Sequence, residues 1–233
     1  MPLYQLDDED CWFPPIEEAL EDPPGLLAIG GDLSVPRLLS AYQQGIFPWY
    51  SEGEPLLWWA PMPRMVLPPS NIHVSKSMAK FIRKNQYRVT FDHAFERVIN
   101  ACGSIPRTGQ EEAGSWITQD MQDAYIRLFK GGYAHSVEVW DQGELIGGLY
   151  GIALGGMFFG ESMFSHKANA SKLAFISLAK QLEKLKFDLI DCQMHTNHLE
   201  TLGAREMELA EFQDHLHNNL SYGLDSRWQM WLE

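Results

Sequence analysis

Asp191 and Gln193, two residues apart in the stretch FDLIDCQ, combine side-chain types and a spacing that suit catalysis. Side chains alternate along a strand, so the pair should emerge on one face and act together. A carboxylate facing a carboxamide can polarise the amide, whose oxygen then accepts a proton or hydrogen bond from an attacking amine. The plain alternative is a polar strand end that faces water. Glu161 follows Phe158 and Phe159 in FFGESMF, where burial is expensive unless an ammonium or several donors meet the carboxylate. A cationic group on a ligand is one such partner. Phe158, Met163, Phe175 and Ile190 could wall an apolar pocket beside these polar groups, or could be ordinary core.

Other reactive residues are weaker candidates. His195 and His198 follow Cys192 at CxxHxxH spacing, and His215 and His217 form a second pair. Neither set completes a four-ligand pattern, so no metal is expected. Cys192 has no identifiable orienting acid and alternates away from Asp191 and Gln193, which marks it as structural. Cys11, Cys102 and Cys192 are odd in number and far apart, which gives no disulfide framework and fits a reducing compartment.

The elements that must position these groups follow from periodicity and caps. Ser34 caps a helix over about Val35 to Gln44, stopped by Gly45. The next stretch, GIFPWYSEGEPLLWWAPMPRMVLPP, is expected to be irregular. A second helix is predicted from Val74 to Asn85, then the strand YRVTFD, a short helix from His93 to Ala101 and the loop GSIPRTGQEEAGSW. Thr118 caps a helix that ends near Phe129. HSVEVW, ELIGGLYGIAL and MFFGESMF then form an antiparallel meander, because the turns DQGE and GG are short. Phe175, Leu178, Leu182 and Leu185 recur at the helical period between Ser171 and Lys186, before the strand FDLIDCQ and a last helix over Leu209 to Leu220. The order is that of an α/β (α+β) fold with a mixed sheet and the layout of acetyltransferase-like (GNAT) domains. A small N-terminal α/β domain is expected over residues 1–110 and the acetyltransferase-like domain over 111–233.

Composition narrows the class. With 45% hydrophobic and 21% charged residues over 233 positions, the chain suits one large domain or two small ones. The start, MPLYQLDDEDCWFPP, is acidic and proline-broken, unlike a secretion signal, so a cytoplasmic location is expected. The longest uncharged run, Leu145 to Gly160, falls short of the ~20 residues of a membrane helix and holds six glycines, so no span is expected. Net charge is −13, yet the segment from Arg64 to Arg97 carries seven basic against two acidic residues, +5, which leaves −18 for the rest. Lys76, Lys80, Arg83 and Lys84 fall on one face of the second helix as a cationic stripe.

The blocks GLLAIGGDLS (25–34), YQQGIFPWYS (42–51), LWWAPMPRMVL (57–67), GSWIT (114–118), HSVEVW, GGLYG, GESMFS, NASK and LIDCQ span nearly the whole chain in one register. They resemble the bacterial leucyl/phenylalanyl-tRNA–protein transferase family. The resemblance implies transfer of Leu, Phe and in some members Met from aminoacyl-tRNA to proteins beginning with Arg or Lys, an N-end-rule degradation signal. It implies no metal and no diffusible cofactor, and a monomer is expected.

By the same resemblance, Asp191 polarises Gln193, which assists the acceptor amine, and Glu161 is an active-site glutamate. An alternative family account stresses substrate positioning. Trp49 and Trp116 match tryptophans near the tRNA 3′ adenosine. Phe158, Met163 and Ile190 match the apolar pocket, whose other positions are Leu149, Phe175 and Leu178, where Met, Leu and Phe respectively are familiar. These swaps roughly conserve volume and could retune the choice between Leu and Phe. Thr196 stands where some members have asparagine. Lys76, Lys80, Arg83 and Lys84 match the helix that meets tRNA phosphates, contacts that position RNA without reading bases. A coenzyme A-dependent acetyltransferase would need a glycine-containing pyrophosphate loop before the long helix, where this chain has SHKANASK. A tRNA-dependent peptidoglycan aminoacyltransferase is disfavoured by the whole-chain match. An adaptor for basic N-termini would need neither the pocket nor the cationic helix.

Overall fold

A computed structural model describes residues 3–104, 117–220 and Trp228. Four short strands, β1 (Tyr4–Leu6), β2 (Leu26–Gly30), β3 (Phe47–Pro48) and β4 (Leu57–Trp59), form a sheet in the order β1-β2-β4-β3. Seven others form the main sheet: β5 (Arg64–Leu67), β6 (Arg88–Phe91), β7 (Ala134–Asp141), β8 (Glu144–Leu154), β9 (Met157–Ser165), β10 (Leu189–Gln193) and β11 (Arg205–Met207). Their order is β11-β5-β10-β9-β8-β7-β6. Every pairing in it is antiparallel except β9 with β10, which makes the sheet mixed.

The helices are α1 (Val35–Gln43), α2 (Lys76–Arg83), α3 (Phe95–Ser104), α4 (Gln119–Lys130), α5 (Ala170–Lys184), α6 (Asn197–Glu200) and α7 (Leu209–Leu220). Ser34, Ser75 and Thr118 cap α1, α2 and α4 by accepting backbone N–H bonds from Arg37, Met78 and Met121. Thr196 does the same for α6, so its hydroxyl has a local structural use that an asparagine could also fill. The expected sequence of helix, meander, long helix, strand and helix is found from α4 to α7, with the short α6 and β11 inserted between the strand β10 and the last helix.

Two apolar clusters cover the two faces of the main sheet. One gathers α1, α3, α4 and α7 with Tyr150, Ile152, Met157 and Phe159. The other gathers α5 and the apolar side of α2 with Val137, Leu149, Ala153 and Phe158. Close approach of α5 explains a glycine in GGLYG: a Cβ on Gly147 would lie 2.5 Å from the Cβ of Ala170.

Two local expectations change. LWWAPMPRMVL is not irregular: it contributes β4 and β5, and β5 sits inside the main sheet between β10 and β11. β6 is the sheet's far edge in the order found, paired with β7. Two of the seven strands thus come from before residue 110, because partners distant in sequence, not local pattern, complete this sheet.

Gly147→Val should destabilise the fold by about 1–3 kcal/mol through overpacking. Thermal unfolding checks this, and an unchanged midpoint would contradict the tight contact between β8 and α5.

Candidate active site

The parallel pair β9 and β10 is in register only at Met157, Phe158 and Phe159 opposite Leu189, Ile190 and Asp191. Beyond that point the two strands stop pairing, and each carries an irregularity. On β9, Gly160 faces Gly151 and Ser162 faces Tyr150, so Glu161 is the extra residue of a bulge. On β10, Asp191 faces Val66 while Gln193 faces the adjacent Met65, and Gln193 is left-handed at φ 63°. Bulges re-aim side chains in this way, often beside active sites.

The second bulge breaks the simple alternation by which Asp191 and Gln193 were expected to share a face, yet their polar ends still gather at Glu161, which feels the Asp191 charge and accepts from Gln193. Adjacent residues Val66 and Met65 point to opposite sides of the sheet, and Val66 belongs to the first apolar cluster and Met65 to the second. What joins Gln193 to the site is its amide: Nε2 donates to Glu161 Oε1 at 2.9 Å. Asp191 does not meet that carboxamide in the hydrogen bonds seen. Its Oδ1 accepts the backbone N–H of Gln193 at 2.8 Å.

Glu161 is 8% exposed and surrounded by donors. Tyr42 Oη donates to Oε1 and Tyr125 Oη to Oε2, both at 2.8 Å, and the two hydroxyls also touch each other. Burial pushes the Glu161 carboxyl up to about 7, the nearby Asp191 charge adds to the rise, and the two phenols and the Gln193 amide oppose it. Burial also raises both phenols well above their ordinary range, with the Glu161 charge reinforcing it. The carboxylate is therefore satisfied by several donors, as its sequence position required, with no cation paired to it among the described residues.

Asp191 is fully buried, and Arg64, 1% exposed, meets it with two nitrogens. Nε donates to Oδ1 at 2.9 Å and Nη2 to Oδ2 at 3.0 Å, while Nη2 also donates to the carbonyl of Gly45. Phe47 and Phe212 lie over the guanidinium at 5.1 and 4.8 Å. In the sequence Arg64 counted toward the basic segment; here it is withdrawn from the surface and neutralised.

The apolar candidates come together in the second cluster. Leu149, Phe158, Phe175, Leu178 and Ile190 are buried within it, and Met163 packs against it. Trp228 joins this cluster, stacked on Phe158 at 5.9 Å between centroids and on His135 at 4.6 Å. Trp49 packs against the first cluster instead, with Trp59 at 5.4 Å. Trp116 lies outside the described residues. On α2, Lys76, Lys80, Arg83 and the following Lys84 are all exposed within roughly 100° of arc at the helical period, and among the described residues none is in an ion pair. Met78, Phe81 and Ile82 face the core.

Among the described residues no group of three or more His, Cys, Asp and Glu could hold a metal ion, and no helix is long and apolar enough to cross a membrane. Burial pushes the Cys192 thiol far up, and the neighbouring Asp191 adds to it, so it does not supply a thiolate. Sequence reasoning missed Arg64, Tyr42 and Tyr125 as members of the site. Their stretches, LWWAPMPRMVL and YQQGIFPWYS, carried the family resemblance for Arg64 and Tyr42; nothing local singled out Tyr125.

Because the folded state holds the Glu161 proton more tightly than an unfolded chain, ionisation opposes folding between pH 4.5 and about 7. The stability of the wild type relative to Glu161→Gln should fall as pH rises through that window and level off above it. Chemical denaturation at a series of pH values checks this; a constant difference would contradict the buried, raised carboxyl.

A model described as the leucyl/phenylalanyl-tRNA protein transferase matches residues 66–217, and one for the N-terminal domain of the same proteins matches 31–62. The first of these matches begins inside β5 and the second ends just after β4, close to where the chain passes from the small sheet into the main one. A curated leucyl/phenylalanyl-tRNA–protein transferase of Pseudomonas fluorescens is 56% identical over 226 residues, 97% of this chain and 99% of that one. Its counterpart from Stutzerimonas stutzeri is 54% identical over 227 residues, again 97% and 99%. Among solved structures, a GCN5-related N-acetyltransferase from Kribbella flavida overlays with TM-score 0.38 at 11% identity, covering 72% of this chain and 59% of that one. L-PGS from Bacillus licheniformis gives 0.40 at 11% identity, covering 73% and 53%. Overlays at those scores carry no weight beside the strand order. Identity above one half over 97% of the chain, together with family models that match residues 31–62 and 66–217, means that this transferase is a member of the leucyl/phenylalanyl-tRNA protein transferase family.

Proposed function

We propose that this transferase moves Leu, Phe and Met from aminoacyl-tRNA to the α-amine of proteins that begin with Arg or Lys, creating an N-end-rule degradation signal. The observation that carries the reading is the 2.9 Å bond between Gln193 and Glu161 where β9 and β10 part, with the apolar cluster behind the same strands. Since its NH2 faces a carboxylate, the Gln193 carboxamide directs its oxygen away, where it can accept a hydrogen bond from an incoming amine.

The chemistry asked of the protein is modest. An aminoacyl ester is already activated, so its aminolysis needs orientation, a neutral amine and stabilisation of the developing oxyanion. The amine nitrogen forms the new C–N bond, the ester C–O bond breaks, and the proton lost by the amine ends on the ribose hydroxyl of the tRNA. Glu161, titrating near neutrality, suits a group that relieves the acceptor ammonium of its proton. Asp191 and Gln193 complete the catalytic set. Leu149, Phe158, Met163, Phe175, Leu178 and Ile190 accept the donor side chain, and Trp49 and Trp116 hold the adenosine end.

Lys76, Lys80, Arg83 and Lys84 meet backbone phosphates of the acceptor stem, which accommodates tRNAs of several identities. In this division of labour residues 1–110 present the RNA-facing helix and 111–233 carry the acyl-transfer strands, with Arg64 reaching across. The protein acts as a cytoplasmic monomer without a metal or diffusible cofactor.

Incubation with tRNA charged with labelled Leu or Phe should label a protein starting with Arg and spare the same protein starting with Ala; labelling of both, or of neither, would sink the acceptor rule. Lys80→Ala should weaken binding of charged tRNA for Leu and Phe alike and flatten the slope of log affinity against log salt by about 1. A slope equal to that of the wild type would remove α2 from the RNA contact.

A further inference from the structure

Gln193 adopts a left-handed backbone (φ 63°), a region that non-glycine residues resist. The bond that holds it there is the Asp191 carboxylate accepting the Gln193 backbone N–H at 2.8 Å, two residues on. A buried carboxylate keeps one orientation only if its own oxygens are fixed, and here the fixing group is Arg64, with one nitrogen on each oxygen at 2.9 and 3.0 Å. A planar fork on a carboxylate sets direction as well as charge. Phe47, Phe212 and the Gly45 carbonyl in turn hold the guanidinium. The chain of contacts therefore runs from Arg64 on β5 through Asp191 to the turn at Gln193, and from there to Glu161 through the carboxamide.

We propose that Arg64 is a positioning residue for the transfer reaction: by clamping Asp191 it sets the Gln193 turn and aims the carboxamide at Glu161. Asp191 serves in this scheme as the hinge pin of that turn, because both of its oxygens are engaged by Arg64 and one also by the Gln193 backbone. The inference rests on the reading of Gln193 as the group that meets the acceptor amine.

A double-mutant cycle separates this role from a merely structural one. Transfer of labelled Phe to an Arg-starting protein is followed for the wild type, Arg64→Lys, Gln193→Ala and the double variant, over charged-tRNA concentrations that reach saturation and below the unfolding temperature of each. Arg64→Lys keeps the charge and loses the fork. It should lower kcat about tenfold or more while KM for charged tRNA moves less than about threefold, the signature of an interaction that matters in the transition state. In the Gln193→Ala background the same change should cost less than about twofold further, because the carboxamide it aims is gone. If the Lys variant does not fold, Arg64→Gln, neutral and still a donor, takes its place in the cycle.

Losses that multiply in the double variant would show that Arg64 acts elsewhere and would overturn the inference while leaving Gln193 its role. A Gln193→Ala protein with wild-type kcat would instead overturn the reading of Gln193, and this inference with it.

Discussion

The ion pair between Arg64 and Asp191 is the constraint on which the centre of the protein depends. Taking both charges out of water carries a penalty of several kcal/mol per ion, offset only when geometry and further hydrogen bonds are good. Here the guanidinium meets two carboxylate oxygens and a backbone carbonyl and lies between two aromatic rings. The surroundings are built for it: Gly45 has φ 75°, and a Cβ there would lie 2.6 Å from the Phe212 ring that helps cover the guanidinium. Losing one partner would leave a buried uncompensated charge. The pair also ties β5, from the first third of the chain, to β10, so the same contact that unites distant segments shapes the site.

Around that anchor the sheet separates polar from apolar work. Regular strands alternate two faces, and the two clusters divide along that rule. The functional candidates sit where the rule breaks. A bulge at Glu161 and a left-handed residue at Gln193, just past the last paired residues of β9 and β10, bring a carboxylate and a carboxamide together. Phe158 and Ile190, one step before the break, still obey the alternation and join the apolar cluster. A reacting ester held at the parting of these strands would have its side chain and its carbonyl in different surroundings within a few residues of each other.

Charge is partitioned on a larger scale. The chain is acidic overall at −13, which disfavours indiscriminate contact with nucleic acid. The exposed stripe on α2 is the local exception, and the apolar side of that helix packs on the same cluster as the candidate pocket. The proposed phosphate contacts are thus mounted on the cluster proposed to bind the amino acid.

Much of the fold was legible in the sequence because its signals are short-range. The capping of α1 and α4, the meander from its brief turns, and the period of α5 are settled within a dozen residues. So was the exposure of Lys76, Lys80, Arg83 and Lys84, which follows from helical spacing. The types of the central site residues were visible too, since a lone glutamate among aromatic residues demands donors. The tertiary structure alone decided the rest. β5 lies in a proline-flanked stretch without strand periodicity, and it becomes a strand because β10 and β11, far along the chain, pair with it. Arg64 looks like one more surface cation until Asp191, 127 residues away, is found beside it. Alternation alone paired Asp191 with Gln193, whereas a bulge and a left-handed residue are what bring the Gln193 amide to Glu161, because register depends on the partner strand. Sequence determined which groups are available; long-range pairing determined which of them meet, because burial and strand register belong to contacts that no local pattern encodes.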